Sequence, residues 1–302
     1  MTPKVTIILV NYNGSSDTRE CLRSLAQITY QPHDVIVIDN GSRDKEEAHE
    51  LQKSFPNITV IRSEENKGFA GGNNIGITIA QERGSDYVLL LNNDTTVDVK
   101  FLDAMVAAAE ADARISMVGA KIYYHSDREM IWYDGGSFSW SGGVKHTHIG
   151  MRDEHPSDTA SRRTGFITGC AMVVRMSALK KMGLLEERFF MYHEDADWCL
   201  RARKEGFLLV VAPSARVWHK IARSSATMGE PTIHYYDARN TLLLAQRNAL
   251  FPVRVWIYGR SFFYFSKQIL KFVVLPSKRT ISKMIMRGIF DFYKGNFGKM
   301  RN

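Results

Sequence analysis

At 302 residues with 44% apolar side chains, the chain is long enough for one large α/β domain or two closely packed halves, and its composition is not that of a disordered protein. Its three cysteines, Cys21, Cys170 and Cys199, lie far apart without a CxxC pair, which excludes a disulfide framework, gives no zinc signature and makes a reducing, cytoplasmic setting the expectation. The formal charge of +8 sits in the tail: residues 252–302 carry eleven Lys/Arg against the single acid Asp291, leaving the first 251 residues at −2 and the body nearly neutral.

In chain order, the first apolar segment, Val5–Val10, follows Met1 without the basic head, long apolar run and cleavage site of a signal peptide, so secretion is not expected. Apolar runs at Val35–Asp39, Ile58–Arg62 and Tyr87–Leu91 then alternate with amphipathic segments at Asp17–Gln27, Asp44–Ser54, Gly72–Gln81 and Lys100–Ala111. That alternation predicts a Rossmann-like α/β fold, a mostly parallel sheet flanked by helices. From Lys121 to about Arg163 the pattern loosens, with Gly135-Gly136 and Gly142-Gly143 bracketing a hairpin. A buried strand is predicted over Phe166–Arg175, a short helix ending near Gly183, a helix from about Asp195 to Lys204, and a strand over Phe207–Val211. Three parts follow from this pass: residues 1–120, residues 121–250 and a basic amphipathic tail over 251–302.

Ligands in such a sheet bind at the carboxyl ends of the strands. Asn92-Asn93-Asp94 closes the strand Tyr87–Leu91, where a carboxylate can hold Mg²⁺ or Mn²⁺ or simply cap a turn. Asp39 closes another strand and can accept from a ribose hydroxyl or base N–H, or cap the next helix. The stretch Asn66 to Asn74, which includes Gly71 and Asn73, places glycines and amides before a helix; this is more than a plain turn needs and suits a diphosphate or sugar. Glu194-Asp195 opens a helix after Phe189–His193, so that Tyr192 and His193 could wall an acceptor sugar while one carboxylate takes a proton from its hydroxyl. His219, read alone, is more readily a packed histidine than a ligand.

Taken in order, Val10-Asn11-Tyr12-Asn13-Gly14, Asp39-Asn40-Gly41-Ser42, Asn66 to Asn74, Asn92-Asn93-Asp94, Gly169-Cys170-Ala171, His193-Glu194-Asp195 and Trp218-His219 closely resemble the family 2 glycosyltransferases, in particular a bacterial rhamnosyltransferase-like subgroup. The resemblance runs from about Val5 to Asn248. It implies a GT-A fold and an inverting transfer from a nucleotide diphosphate sugar to a saccharide acceptor, with dTDP-rhamnose as the expected donor. It further implies that Asp39 binds the nucleoside and that Asp94 is the last acid of the metal-binding DxD motif. Val10, Asn11, Tyr12, Asn66, Gly71, Asn73 and Asn93 would then line the donor pocket. Asp195 would be the catalytic base beside Glu194, His219 a second metal or diphosphate contact, and Tyr192, His193 and Trp198 acceptor contacts. The first DxD acid is Asn92, an amide that brings no charge. Tyr235-Tyr236-Asp237-Ala238-Arg239-Asn240 matches a segment of the subgroup with no role assigned.

The tail predicts an amphipathic helix over Val253–Leu275, broken by Pro276, and a second over Ser282–Phe292. Its aromatic and aliphatic face beside Arg260, Lys267 and Lys271 suits the inner face of the cell membrane and an anionic lipid surface, where a lipid-linked acceptor would be met. Packing on the body or on a second copy of the chain is the alternative. No uncharged stretch is long enough to span a bilayer. The competing functions are a sugar-nucleotide nucleotidyltransferase, whose Gly-rich, Arg-bearing signature is missing at Asn11–Gly14, and a dehydrogenase, whose GxGxxG is also missing. A third is a nucleic-acid-binding protein acting through the tail; binding to nucleic acid is not expected.

Overall fold

Four strands and three helices build the first part of the computed structural model, which describes residues 2–220 and 229–301. β1 (Val5–Asn11), β2 (His33–Asn40), β3 (Thr59–Ser63) and β4 (Tyr87–Asn92) alternate with α1 (Ser15–Leu25), α2 (Glu46–Ser54) and α3 (Gly68–Glu82). The strands read as continuous apolar runs because β1, β2 and β4 are buried on both faces. β1 pairs parallel with β2 and with β4, setting Asn11 opposite Asp39 and Val10 opposite Asn92. Chain order therefore reverses about β1, and the crevice above such a reversal is where open α/β sheets take ligands. α3 seats very closely on β1: a Cβ at Gly72 would come within 2.9 Å of Val10, and one at Gly76 within 2.6 Å of Ile8.

The second part continues with β5 (Thr95–Val97), α4 (Phe101–Glu110), β6 (Ile115–Tyr124), β7 (Asp127–Tyr133), β8 (Gly136–Ser139), β9 (Gly143–His146), β10 (Arg162–Arg163), β11 (Ala171–Arg175), α5 (Met176–Met182), α6 (Glu194–Lys204) and β12 (Leu208–His219). Among the described residues one ten-stranded sheet runs β10-β12-β6-β11-β4-β1-β2-β3, with β5 added on β12 and β7 on β6. It is parallel through β3-β2-β1-β4 and between β6 and β12, while β11 lies antiparallel between β4 and β6. The expected hairpin is present as β8 and β9.

Three differences from the sequence expectation have local causes. β6, to which the pattern gives no strand, is a central one with nine of ten residues buried, so it shows no polar alternation. β11 begins only at Ala171, after a turn that carries Gly169. β12 runs on past Val211 to His219 because a register break between Ala212 and Arg216 accommodates Pro213, which cannot donate to a regular ladder.

The tail forms α7 (Glu230–Asn248), α8 (Phe251–Val274) and α9 (Arg279–Lys294), with a 3₁₀ turn at Pro276–Lys278. α9 buries Ile285, Ile289 and Phe292. At Gly288 it meets α7 so tightly that a Cβ would lie 2.4 Å from the Tyr235 carbonyl oxygen. α8 buries only Ile257, Ser261 and Gln268. No helix among the described residues is long and apolar enough to cross a membrane.

Candidate active site

The donor-side residues form one hydrogen-bonded floor at the strand ends. Asn11, fully buried, donates to Asp39 Oδ1 (3.4 Å), Ser42 Oγ (3.2 Å) and Glu47 Oε2 (2.9 Å), and accepts from the Thr18 hydroxyl (2.9 Å). Thr18 in turn accepts from Asn93 Nδ2 (2.9 Å), so a continuous chain links Asp39 to the residue before Asp94. Asp39 is also fully buried; Arg62 at the end of β3 pairs with its second oxygen, and the Ser42 N–H reaches the first. Arg62 is a donor-floor residue that the sequence reading missed, since a single Arg after an apolar run carries no motif. Tyr12 stands exposed on the rim above this floor.

The Asn66 to Asn74 stretch is used differently from the expectation. Asn66 Oδ1 accepts from the Gly68 N–H (2.8 Å) and from Asn40 Nδ2 (3.2 Å), closing the turn into α3, and Gly68 takes φ +73°. Gly71 and Asn73 are buried in α3, and Asn73 donates to the Phe69 carbonyl (2.9 Å). Gly71 lies against Lys67 and Glu187, and the close approach of the helix to β1 is made by Gly72 and Gly76.

Asp94, after β4, and His219, at the end of β12, meet at 3.0 Å between Asp94 Oδ1 and His219 Nε2, with Asn92 Nδ2 3.4 Å from the same nitrogen. Both are buried. Burial would lower the basicity of His219, but the neighbouring Cys170 and Asp94 raise it above the ordinary histidine range. Among the described residues no group of three His, Cys, Asp or Glu side chains is arranged to hold a metal ion, so a cation here would rest on Asp94, His219, the Asn92 amide and the donor's own phosphates. His219 Nδ1 is buried without a hydrogen-bond partner. The Asp94 carboxylate and the Asn92 amide oxygen suit Mg²⁺ or Mn²⁺ with its shell completed by phosphate, and His219 would join them only as its proton is displaced by the cation.

The acidic pair lies across the same edge. Asp195 Oδ2 accepts from the Gly169 N–H (3.1 Å) and Oδ1 from the Ala196 N–H (2.8 Å). The next carbonyl, of Cys170, accepts from the Asn92 N–H (2.8 Å). Asp195 is thus tied through two consecutive residues to the strand end that carries Asp94. Burial raises the carboxyls of both Glu194 and Asp195. For Glu194 the adjacent Asp195 charge adds to the rise, whereas the Gly169 and Ala196 N–H groups moderate it for Asp195. Glu194 is buried with no partner for Oε2. Of the pair, Glu194 is the one raised more strongly, because Asp195 has two N–H groups on its carboxylate and Glu194 Oε2 has no partner.

The segment entering α6 is strained. Phe190, Tyr192 and His193 all take positive φ (66°, 63° and 72°), at a cost of order 1–3 kcal/mol each for non-glycine residues. His193 Nε2 lies 3.0 Å from Asp237 Oδ1 on α7. Trp198 is a correction: it is fully buried, its indole N–H bonded to the Gly183 carbonyl (2.9 Å). Four residues after Glu194, it lies one helical turn along the same buried face and cannot touch an acceptor. Aromatic side chains of the β7 and β9 region gather beside His219 as the candidate for such a wall. Trp132 stands edge-on to both His219 and His146 at 4.9 Å, and His146 stacks on Phe166 at 6.0 Å. Burial lowers the His146 pKa, with the Asp195 charge opposing. The alternating pattern of a short hairpin gives no sign of this role.

Comparison with known proteins agrees with this geometry. The Glycosyl transferase family 2 profile matches residues 6–183. An N-acetylglucosaminyl-diphospho-decaprenol L-rhamnosyltransferase of Mycobacterium tuberculosis is 29% identical over 82% of this chain and 86% of its own length. A dTDP-rhamnosyl transferase of Shigella flexneri is 22% identical over 82% of each chain. Among solved structures, the mannosyltransferase PcManGT from Pyrobaculum calidifontis in complex with GDP-Man and Mn²⁺ shares the fold at TM-score 0.58 and 13% identity, covering 97% of this chain and 88% of that one. GalNAc-T7 with UDP, GalNAc and Mn²⁺ does so at TM-score 0.61 and 18% identity, over 72% of this chain and 44% of that one. The expected GT-A arrangement is the one found, and the chain belongs to glycosyl transferase family 2, as a glycosyltransferase similar to the rhamnosyltransferases.

Proposed function

We propose that this enzyme transfers L-rhamnose from dTDP-rhamnose to a lipid-linked saccharide acceptor, with inversion, in the assembly of a cell-surface polysaccharide. The observation that carries the reading is the tie Asp195–Gly169–Cys170–Asn92, which brings a carboxyl group to the edge where Asp94 and His219 meet. Residues 1–120 hold the donor and residues 121–250 the acceptor and base. Asn11, Asp39, Arg62 and Thr18 fix the nucleoside end. Asp94, His219 and Asn92 would hold Mg²⁺ or Mn²⁺, which when bound neutralises charge on the departing diphosphate. Asp195 takes the proton from the attacking acceptor hydroxyl, its carboxylate held by the Gly169 and Ala196 N–H groups. Trp132, His146 and Tyr192 form the acceptor wall. One carboxylate acting on one face gives single displacement.

The acceptor's lipid is supported by α8. At 100° per residue, Phe251, Val255, Phe262, Phe263, Ile269, Leu270, Val273 and Val274 fall within an arc of roughly 140° that contains no charged residue. The last six of these side chains are 48–73% exposed. Arg260, Lys267 and Lys271 border the arc on one side, while the buried Ile257, Ser261 and Gln268 lie opposite it. An apolar strip with a basic border suits the surface of an anionic bilayer. The enzyme accordingly works as a peripheral protein on the cytoplasmic face of the membrane.

The test of the reaction is hydrolysis and transfer with UDP-, dTDP- and GDP-sugars, with and without Mn²⁺. Release of dTDP from dTDP-rhamnose, dependent on the metal, is expected; turnover of only UDP- or GDP-sugars would replace the donor. For the surface, co-sedimentation with phosphatidylglycerol vesicles should be lost in Phe262→Glu/Phe263→Glu while donor hydrolysis is kept. Equal sedimentation of both proteins would remove the membrane assignment.

A further inference from the structure

The Tyr235–Asn240 segment has no place in the chemistry above, yet it holds the largest buried polar assembly on α7. Arg239 is fully buried, and among the described residues it pairs with no carboxylate. Its guanidinium donates instead to the carbonyls of Phe189 (2.9 Å), Arg188 (3.2 Å) and Gly298 (2.7 Å) and to Asn240 Oδ1 (3.0 Å), and lies over the rings of Tyr235 and Tyr236. Asn240 Nδ2 lies within 2.8–3.0 Å of the carbonyls of Phe189, Met191 and Tyr192. A buried cation satisfied by neutral oxygens and ring faces is costly to keep where an apolar side chain would pack. Its partners are the backbone of the segment that carries three positive φ angles into Glu194-Asp195.

That segment reaches both halves of the site. The Phe190 carbonyl accepts from the Phe69 N–H at 2.7 Å, and Gly68 passes so close that a Cβ would lie 2.1 Å from the same oxygen. Phe69 lies against Gly169, where a Cβ would be 2.9 Å from the ring, and the Gly169 N–H holds Asp195. The far side of the clamp is closed by the chain after α9: Gly298 N donates to the Arg188 carbonyl (2.9 Å) and Met300 N to the Tyr236 hydroxyl (2.9 Å), while the Tyr236 ring stacks on Phe190 at 5.5 Å.

We propose that Arg239 and Asn240, closed by Tyr236 and residues 298–300, are positioning residues for glycosyl transfer, holding the Arg188–His193 backbone in the strained form that aims Asp195 at the acceptor. The inference rests on the reading of Asp195 as the base. The clamp touches neither donor nor acceptor; it acts through the main chain. Misplacing a reacting group by about 1 Å can cost on the order of a hundredfold in rate. Asn240→Asp keeps the shape and removes the donors, and Arg239→Lys keeps the charge and removes the fork.

The experiment is a double-mutant cycle on the full chain, with dTDP-rhamnose and an N-acetylglucosaminyl-diphospho-prenol as substrates. Asn240→Asp and Arg239→Lys should lower the kcat of transfer roughly ten- to a hundredfold, with donor KM changed less than about threefold. On the Asp195→Asn background neither should cause a further loss, because the group they aim is already gone. Tyr236→Phe, which removes one hydroxyl, should lower kcat by a few-fold and decides the matter if the other two variants do not fold. Parent-like kcat in whichever of these variants fold, or an equal loss on the Asp195→Asn background, overturns the clamp. An Asp195→Asn enzyme that transfers as well as the parent overturns the base assignment, an outcome distinct from either.

Discussion

The Gly169 N–H lies 3.1 Å from Asp195 Oδ2, so the carboxylate proposed as the base is held by the turn that opens β11. The neighbouring Cys170 carbonyl bonds the Asn92 N–H, which joins the Asp195 carboxylate and the end of β4 in one hydrogen-bonded unit. A Cβ at Gly169 would meet the Phe69 ring at 2.9 Å, so the N–H reaches Asp195 only because the position has no side chain.

Replacing that carboxylate separates binding from chemistry. Asp195→Asn should keep donor affinity within about threefold and reduce transfer roughly a thousandfold, the scale of a lost general base. Calorimetric titration with the donor, set beside initial rates, checks it; parallel loss of both contradicts the assigned role.

Acidification should silence the enzyme earlier than an exposed aspartate would. Burial raises the Asp195 carboxyl, and a base must be ionised, so kcat should fall on an acid limb centred above the ordinary aspartate range. A limb at or below the ordinary value would remove burial as the controlling influence.

Glu194 carries a stability signature of the opposite tendency to a salt-bridged acid. Its folded-state pKa is raised by burial and by Asp195, so the folded protein binds its proton more tightly than the unfolded chain. The contribution to stability is present in full below the ordinary glutamate value and is lost as pH rises through the folded value. The melting temperature of the parent should therefore fall more steeply between pH 5 and pH 8 than that of Glu194→Gln, by differential scanning calorimetry over about those limits. Parallel curves for the two proteins would count against a neutral Glu194.

Asn92 stands where the DxD motif has its first acid, 3.4 Å from His219 Nε2. Restoring the acid in Asn92→Asp should lower the Mn²⁺ concentration for half-maximal activity by about tenfold, and Asp94→Asn should raise it, because hard cations gain from each added carboxylate. Chelation should abolish transfer in both cases, and Mn²⁺ titration of initial rates reads the result.

Acceptor recognition should move with His146 and not with Trp198. His146→Ala should raise acceptor KM by roughly tenfold with little change in donor KM. Trp198→Phe should leave both unchanged while costing roughly 1–3 kcal/mol of stability through the lost bond to Gly183 and lost packing. A raised acceptor KM in Trp198→Phe would reinstate the sequence reading.

Much of the site was legible because strand-end chemistry repeats in a fixed order. Asn11, Asp39, Asp94 and Asp195 each follow an apolar run or open a helix, and one-dimensional pattern locates such junctions, whereas His219 entered through the family resemblance alone. Arg62, Trp132 and His146 were not legible: each is a single residue whose partner lies on another strand, 23 residues away for Arg62 and Asp39 and 87 for Trp132 and His219. Trp198 misled for a related reason. Sequence shows that an aromatic ring is present, but only packing shows whether it faces a crevice or the core.

By itself the sequence determined the alternation that builds the parallel half-sheet, the carboxyl-edge placement of the acids, the hairpin and the two tail helices, because hydrophobic period and turn residues act over a few neighbours. Tertiary structure alone decided that β6 joins the sheet's centre, that β12 carries His219 to Asp94, that α9 packs on α7 while α8 leaves its apolar arc uncovered, and that Arg239 and Asn240 clamp the backbone before Asp195. Each of these depends on a contact between segments distant in the chain, and the energy of such a contact is set by the three-dimensional neighbours that bury it.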